Sequence, residues 1–221
     1  MTIRELAIPG AWEIVHTVHS DDRGLFYEWF TQKEFAEATG HHFDLHQANC
    51  SVSAAGVLRG LHFAQLPPSQ AKFVTCVRGS VFDVVVDIRV GSPTYGRWDS
   101  VQLNSRDRRS VYLSEGLAHG FLVLDDESTI MYLCSAPYSP DREHAILATD
   151  PQLAIDWPRV GGAAPLLSAR DLDAPTLENA RAAGLLPTWD DTRDFIERLP
   201  RGDSSAAITP TAPPPAPRPP H

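Results

Sequence analysis

Hydrophobic and polar residues alternate along several short stretches of the first 160 residues, with the two-residue period of β-strands. Residues 81–88 place their even-numbered apolar side chains on one face and Asp83 and Asp87 on the other. Further strand-like runs, separated by turn residues, are 45–53, 57–63, 72–77, 98–103, 110–113, 119–124 and 129–134. Arg78-Gly79-Ser80 predicts a hairpin between 72–77 and 81–88. Many short strands with turns between them predict an all-β sandwich or barrel.

Helical patterns are few and short. The sequence Thr31-Gln32-Lys33-Glu34 is a capping box, and Gly40 can end the helix that it starts. Thr176 predicts the start of a second helix that stops at Gly184, and residues 191–199 predict a third. We expect the two late helices to pack on the outside of the barrel.

The last 21 residues differ in composition from the rest of the chain. Seven of the 19 prolines lie there, and large apolar side chains are almost absent. Such a segment cannot bury enough apolar surface to offset the entropy of ordering. We therefore expect one domain over residues 1–200, with a helical extension from about residue 176, and a disordered proline-rich tail over 201–221.

The overall composition is that of a globular protein, with 43% hydrophobic and 21% charged residues. No run of 18 apolar residues is present, and the first residues lack a signal-peptide pattern. The three cysteines are odd in number and widely spaced, as in a reducing cytoplasm. A net charge of −9 argues against a generally basic nucleic-acid-binding face. We expect a cytoplasmic protein without nucleic-acid or membrane partners.

One strand carries an unusual polar face. Within 45–53, Gln47, Asn49, Ser51 and Ser53 share a face. That face could simply meet solvent, as in many antiparallel sheets. However, amides and small hydroxyls without Lys or Glu also suit a wet pocket that hydrogen-bonds a polyol. These residues alone favour the two interpretations equally.

Three side chains in apolar surroundings could carry acid–base chemistry. A buried Lys72 beside a carbonyl would stabilise negative charge on oxygen, and His62 would accept a proton near neutral pH. Tyr132, in the apolar run 129–134, could donate a proton into a pocket, although the strand alone favours an ordinary core tyrosine. The histidines do not cluster with carboxylates as metal ligands would. Nucleophile-elbow, Walker and dinucleotide-binding motifs are absent, which argues against hydrolase, NTPase and Rossmann dehydrogenase activities.

A series of motifs, taken in order, resembles the dTDP-4-dehydrorhamnose 3,5-epimerase family. The motifs are Asp22-Arg23-Gly24 with Phe26 and Glu28, and the runs 47–53, 56–63, 68–72, 83–89, 92–96, 115–121, 150–151, 156–158 and 168–171. The resemblance covers about residues 1–175. It implies a cupin-type jelly-roll barrel, a homodimer, and a reaction without metal or other cofactor. The implied substrate is dTDP-4-dehydro-6-deoxy-D-glucose, inverted at C3 and C5 to dTDP-4-dehydro-L-rhamnose for the L-rhamnose of cell-envelope polysaccharide.

The resemblance also implies residue roles. His62 would be the base, Asp171 would orient it, Lys72 would stabilise the enolate, and Tyr132 would return a proton to the opposite face. The implied substrate contacts are Arg23, Glu28, Gln47, Asn49, Arg59, Lys72, His119, Tyr138, Glu143 and Arg170, with Tyr138 stacking on thymine. The alternatives are an epimerase of C3 or C5 only, a catalytically silent sugar-nucleotide-binding module, and a metal-dependent cupin oxygenase.

Overall fold

The structure, a computed structural model, describes residues 1–200. Its strands are β1 (Thr2–Glu5), β2 (Ala11–Val15), β3 (His19–Asp21), β4 (Gly24–Phe26), β5 (Gln47–Ser53), β6 (Leu58–Ala64), β7 (Lys72–Arg78), β8 (Ser80–Asp87), β9 (Trp98–Asn104), β10 (Arg109–Leu113), β11 (Leu117–Val123), β12 (Ser128–Cys134) and β13 (Glu143–Ala145). Its α-helices are α1 (Gln32–Thr39), α2 (Ala169–Leu172), α3 (Leu177–Ala182) and α4 (Trp189–Glu197), and Pro140–Arg142 forms a short 3-10 helix.

The long strands form two antiparallel sheets. One has the order β1-β2-β10-β7-β12-β5 and the other the order β13-β6-β11-β8-β9, while β3 and β4 pair as a separate ribbon. The all-β jelly-roll prediction is confirmed. Over the described residues, however, the two sheets do not close into one hydrogen-bonded barrel.

The central strands of both sheets are covered on both faces. The inner faces meet in a core that joins Val74 and Ile130 of one sheet to Val85 and Phe121 of the other. Aromatic residues around α1 cover the outer face of the first sheet, and α3 with the loops before it covers that of the second. On β8, Asp83 and Asp87 point into this inner core, because they lie on the same side of the strand as Val85. The prediction that α3 packs outside the sheets is confirmed.

The hairpin predicted between β7 and β8 is wrong. Strand β7 pairs with β10 and β12, whereas β8 pairs with β9 and β11 in the other sheet. Gly79 lies at this corner with a φ of 75°, and a Cβ there would lie 2.2 Å from Ser128 Oγ. A turn does occur at Gly79, as the sequence predicts, but it takes the chain from one sheet to the other. A local sequence pattern does not show which strand follows a turn as a pairing partner.

The helix predictions are largely confirmed. Thr31 is the N-cap of α1 and Gly40 its left-handed C-cap, although the Thr31 side chain makes no capping hydrogen bond. The Thr176 side chain caps α3 by accepting from the Asn179 amide. Helix α4 begins two residues earlier than expected, because Thr188 caps it. The predicted tail over 201–221 lies outside the described residues.

Candidate active site

A cavity of about 140 Å³ opens between the two sheets. Its walls are Ser51, Arg59, His62, Lys72, His119, Phe121 and Tyr132. Ser51 comes from the polar face of β5 and is the residue of that face that lines this cavity. The cavity gathers five of the residues that the sequence singled out, from strands β6, β7, β11 and β12.

Two facing glycines bring β6 and β11 close enough to share this cavity. A Cβ on Gly60 would lie 2.5 Å from the Gly120 Cα, and a Cβ on Gly120 would lie 2.8 Å from the Arg59 carbonyl oxygen. Gly60 also has a φ of 122°, a backbone conformation that residues with a Cβ rarely adopt. The pairing shifts register beside Gly120, and His62 and His119 become direct cross-strand partners.

His62 is held by a buried carboxylate. Its Nε2 donates to Asp171 Oδ1 at 2.7 Å, and Asp171 is only 4% exposed. Asp171 lies on α2, where its amide donates to the Ser168 N-cap side chain. Burial alone would raise the pKa of Asp171. The hydrogen bond and charge of His62, with hydrogen bonds from Ser168 and the Gly60 backbone, together outweigh burial and hold that pKa below its usual value. An ionised carboxylate therefore orients the imidazole and leaves its second ring nitrogen free to accept a proton.

Lys72 and Tyr132 lie together on neighbouring strands. Lys72 pairs with Cys134, two residues beyond Tyr132, so both side chains leave the same face of the sheet. Burial lowers the pKa of Lys72 and raises the pKa of Tyr132. The site thus combines an amine that can neutralise an oxyanion with a phenol that keeps its proton at neutral pH.

A second imidazole–carboxylate pair lies deeper in the same cavity. His119 Nε2 donates to Asp83 Oδ2 at 2.8 Å, and both side chains are buried. Burial raises the pKa of Asp83 in spite of the hydrogen bond from His119. The sequence presented Asp83 only as the polar face of a strand, and its partnership with His119 depends on β8 pairing with β11, which no local pattern reveals.

A larger, open cavity of about 440 Å³ adjoins the first and shares Arg59 and His62 with it. Arg170 and Asp171 line it from α2. Arg170 also donates to the Glu143 carbonyl oxygen at 2.9 Å. The substrate contacts expected at Arg59 and Arg170 thus lie along one continuous surface that leads to His62.

The remaining expected contacts are divided between two places. Gln47 donates to Asn49 and accepts from the Tyr138 amide, so these three residues lie together beside β5, with Tyr138 half exposed. Arg23 and Glu28 line neither cavity. Arg23 lies on the exposed β3–β4 ribbon and forms an ion pair with Asp21.

Two negative findings concern the described part of the chain. Within residues 1–200, no three His, Cys, Asp or Glu side chains come together as a metal site. In the same range, no helix has the length and apolar character needed to cross a bilayer. The expectation of a reaction without metal or cofactor stays a prediction.

Comparison with known proteins identifies the family of the chain. The sequence pattern of the dTDP-4-dehydrorhamnose 3,5-epimerases matches residues 5–179. A dTDP-4-dehydrorhamnose 3,5-epimerase of Mycobacterium tuberculosis is 68% identical over 199 residues, which is 90% of this chain and 98% of that protein. A solved epimerase structure from the same species is 67% identical, with a TM-score of 0.89 over 90% of this chain and all of that one. A 3'-monoepimerase from Streptomyces bikiniensis, solved with dTDP-quinovose, is 47% identical, with a TM-score of 0.84 over 88% of this chain and 97% of that one.

The jelly-roll fold and its likeness to a solved epimerase assign the chain to the class of cupin-type epimerases. The chain belongs to the dTDP-4-dehydrorhamnose 3,5-epimerase family. It is accordingly an isomerase of dTDP-linked sugars.

Proposed function

We propose that this epimerase inverts both C3 and C5 of dTDP-4-dehydro-6-deoxy-D-glucose, giving dTDP-4-dehydro-L-rhamnose for dTDP-L-rhamnose biosynthesis in the cytoplasm, without metal or cofactor. The observation that carries the proposal is the His62–Asp171 pair sharing one cavity with Lys72 and Tyr132. The degree of similarity supports double inversion, because identity to the mycobacterial 3,5-epimerase is 68%, against 56% to a 3-epimerase of Streptomyces niveus and 47% to the 3'-monoepimerase.

The C4 ketone determines the chemistry. C3 and C5 both flank it, so loss of either proton gives an enolate whose charge lies on O4. In the proposed reaction His62 accepts the proton, and ionised Asp171 stabilises the imidazolium that forms. The short, buried hydrogen bond between them supports this assignment.

Inversion needs a second group on the other face of the sugar. A base that returned its own proton would restore the original configuration. Lys72 would stabilise the enolate oxygen while Tyr132 delivers a proton to the opposite face. Burial raises the pKa of Tyr132, which keeps the phenol protonated and able to donate.

Binding of the nucleotide part would use the surface beside this centre. Arg59 and Arg170 suit the anionic diphosphate, since Arg binds phosphate oxygens with two donors at once. His119 would be a further polar contact inside the cavity. Gln47 and Asn49 would hydrogen-bond the ligand, Glu143 would add a polar contact, and half-exposed Tyr138 would stack on thymine.

A homodimer would account for Arg23 and Glu28, which line neither cavity. The β3–β4 ribbon exposes Leu25 at 46% and Phe26 at 66%, although large apolar side chains are usually covered. We propose that a second copy of the chain covers these side chains, and that the ribbon and the residues just after it carry Arg23 and Glu28 to the partner's cavity.

Proton NMR of the keto-sugar in deuterated water tests the function. The wild-type enzyme should introduce deuterium at C3 and C5 and invert both centres. Inversion at C3 alone would favour the monoepimerase alternative instead.

The Tyr132→Phe variant tests the two-face mechanism. The change removes only the phenolic donor and keeps the ring, so packing should survive. His62 can still exchange its proton with solvent, so deuterium should enter unepimerised sugar while inversion falls sharply. Inversion of C5 at nearly the wild-type rate would assign the donor to water or to another side chain.

A further inference from the structure

Lys72 is a buried amine without a direct counter-ion. It is 8% exposed, and no carboxylate of residues 1–200 lies within 4.0 Å of its Nζ. Burial lowers its pKa, and the opposing influences are Glu143, Cys134 and Glu115. Burial also raises the pKa of the Cys134 thiol, so that group stays neutral near neutral pH. The charged or titratable cavity residues on the neighbouring strands are Arg59, His62, His119 and Tyr132.

Of the two carboxylates, Glu143 already belongs to the proposed substrate contacts, whereas Glu115 has no role in that reaction. Glu115 is 3% exposed and lies in the turn between β10 and β11. Burial raises its pKa, against hydrogen bonds and the charge of Lys72. A carboxyl group in such a place is costly unless opposite charge or hydrogen bonds offset its burial.

A short chain of hydrogen bonds links Glu115 to the start of β7. Glu115 Oε1 accepts from the Ser135 hydroxyl at 3.0 Å, and the same hydroxyl accepts from the Ala71 amide at 2.8 Å. Ser135 also donates its own amide to the Ala71 carbonyl oxygen. The peptide immediately before Lys72 is therefore fixed by one serine that Glu115 holds in place.

We infer that Glu115 is a positioning residue for the epimerase reaction: through Ser135 it fixes the backbone that carries Lys72, and its negative charge keeps the Lys72 amine protonated. This role requires Glu115 to be ionised over the pH range in which Lys72 titrates. The inference rests on the proposed role of Lys72 at O4, because only a protonated amine can neutralise an enolate there.

The chain offers an unusually direct test, since Lys33 and Lys72 are its only lysines. Protein labelled with ¹³C at lysine Cε should give two resonances that can be followed through a pH titration. Lys33 is 80% exposed on α1 and serves as the internal reference.

Glu115→Gln keeps the acceptor for Ser135 and the side-chain volume while removing the charge. We expect the Lys72 midpoint to fall below the wild-type value, because an opposite charge favours the protonated amine, and the Lys33 midpoint to stay constant.

Turnover should change in parallel. Loss of the Lys72 proton ends activity at alkaline pH. In Glu115→Gln, the fall of kcat at alkaline pH (the alkaline limb of the kcat–pH profile) should therefore occur at lower pH, with little change in KM. Glu127→Gln, which removes an exposed carboxylate, is the matched control and should move neither the Lys72 midpoint nor the limb. A Lys72 midpoint that is unchanged in a folded Glu115→Gln protein would overturn the inference.

Lys72→Met separates this inference from the proposed function. If Lys72→Met turned over normally, the role of Lys72 at O4 would be wrong, whatever Glu115 does. If Lys72→Met were inactive and Glu115→Gln kept the wild-type titration and pH profile, the reaction would stand and the role of Glu115 would be wrong.

Discussion

Two imidazole–carboxylate pairs face each other across β6 and β11, and they differ in burial and in the state of their carboxylates. The His62 side chain is 38% exposed and its carboxylate comes from a short helix outside the sheets. The His119 side chain is 9% exposed and its carboxylate comes from β8 inside the core. His62 holds the pKa of Asp171 below its usual value, whereas burial raises the pKa of Asp83 in spite of His119.

The difference shows what each pair can do. A proton acceptor must become a cation during the reaction, which requires an ionised partner and access to substrate. The His62 pair meets both conditions. In the His119 pair, Asp83 Oδ1 finds no hydrogen-bond partner among the described residues, and the surroundings oppose ionisation. That pair is suited to a fixed contact with substrate, where no change of charge is needed.

The largest expected effect separates the two histidines. His62→Ala should lower turnover by about 10²–10⁴-fold, the usual contribution of general-base catalysis, and should stop deuterium entry at C3 and C5. His119→Ala should act mainly on KM, because His119 would contact the substrate and take no proton from it. Both variants can be compared by NMR in deuterated water. Normal deuterium entry at C5 in His62→Ala would rule out His62 as the base.

The members of the two pairs were not equally predictable from the sequence. Strand periodicity located β12 to within one residue and placed Gln47, Asn49 and Ser51 on one inward face, because alternation is a local property of a strand. The same pattern showed Asp83 as a polar position and could not supply its partner, since that contact depends on strands 36 residues apart. Asp171 was found through a motif, as it lies 109 residues from His62.

Other parts of the molecule show the same limit. The strands β1–β4 and β13 were not predicted individually, and the turn at Gly79 was assigned to the wrong connection. Short strands have few residues with which to show a period, and a turn signal does not state which sheet the chain enters next. Arg23 and Glu28 matched a motif, yet they line neither cavity of the single chain.

A smaller effect should follow from changing the partner of the base. Asp171→Asn keeps an oxygen that can accept from His62 but removes the charge that stabilises the imidazolium. A hydrogen bond to a charged group contributes about 1.5–3 kcal/mol, so turnover should fall by about 10- to 100-fold with KM little changed. Steady-state kinetics would show this, with Asp173→Asn, an exposed neighbour at the C-cap of the same helix, as the control. A loss of less than twofold would mean that Asp171 only orients the ring.

The smallest effect concerns stability, and here the two carboxylates should respond to pH with opposite signs. The pKa of Asp171 is lowered by folding, so its contribution is present above the unfolded pKa of about 4 and is lost as pH falls through the folded value. The pKa of Asp83 is raised by folding, so the folded state loses stability as pH rises from about 4 through the folded value.

Relative to wild type, Asp171→Asn should therefore become less stable as pH rises from strongly acid values to about 5, whereas Asp83→Asn should gain stability with rising pH. Each kcal/mol corresponds to about 2–4 °C in Tm for a chain of this size. Thermal unfolding of the three proteins across pH measures both differences, and an Asp83→Asn curve parallel to that of the wild type would show that burial does not oppose ionisation of Asp83.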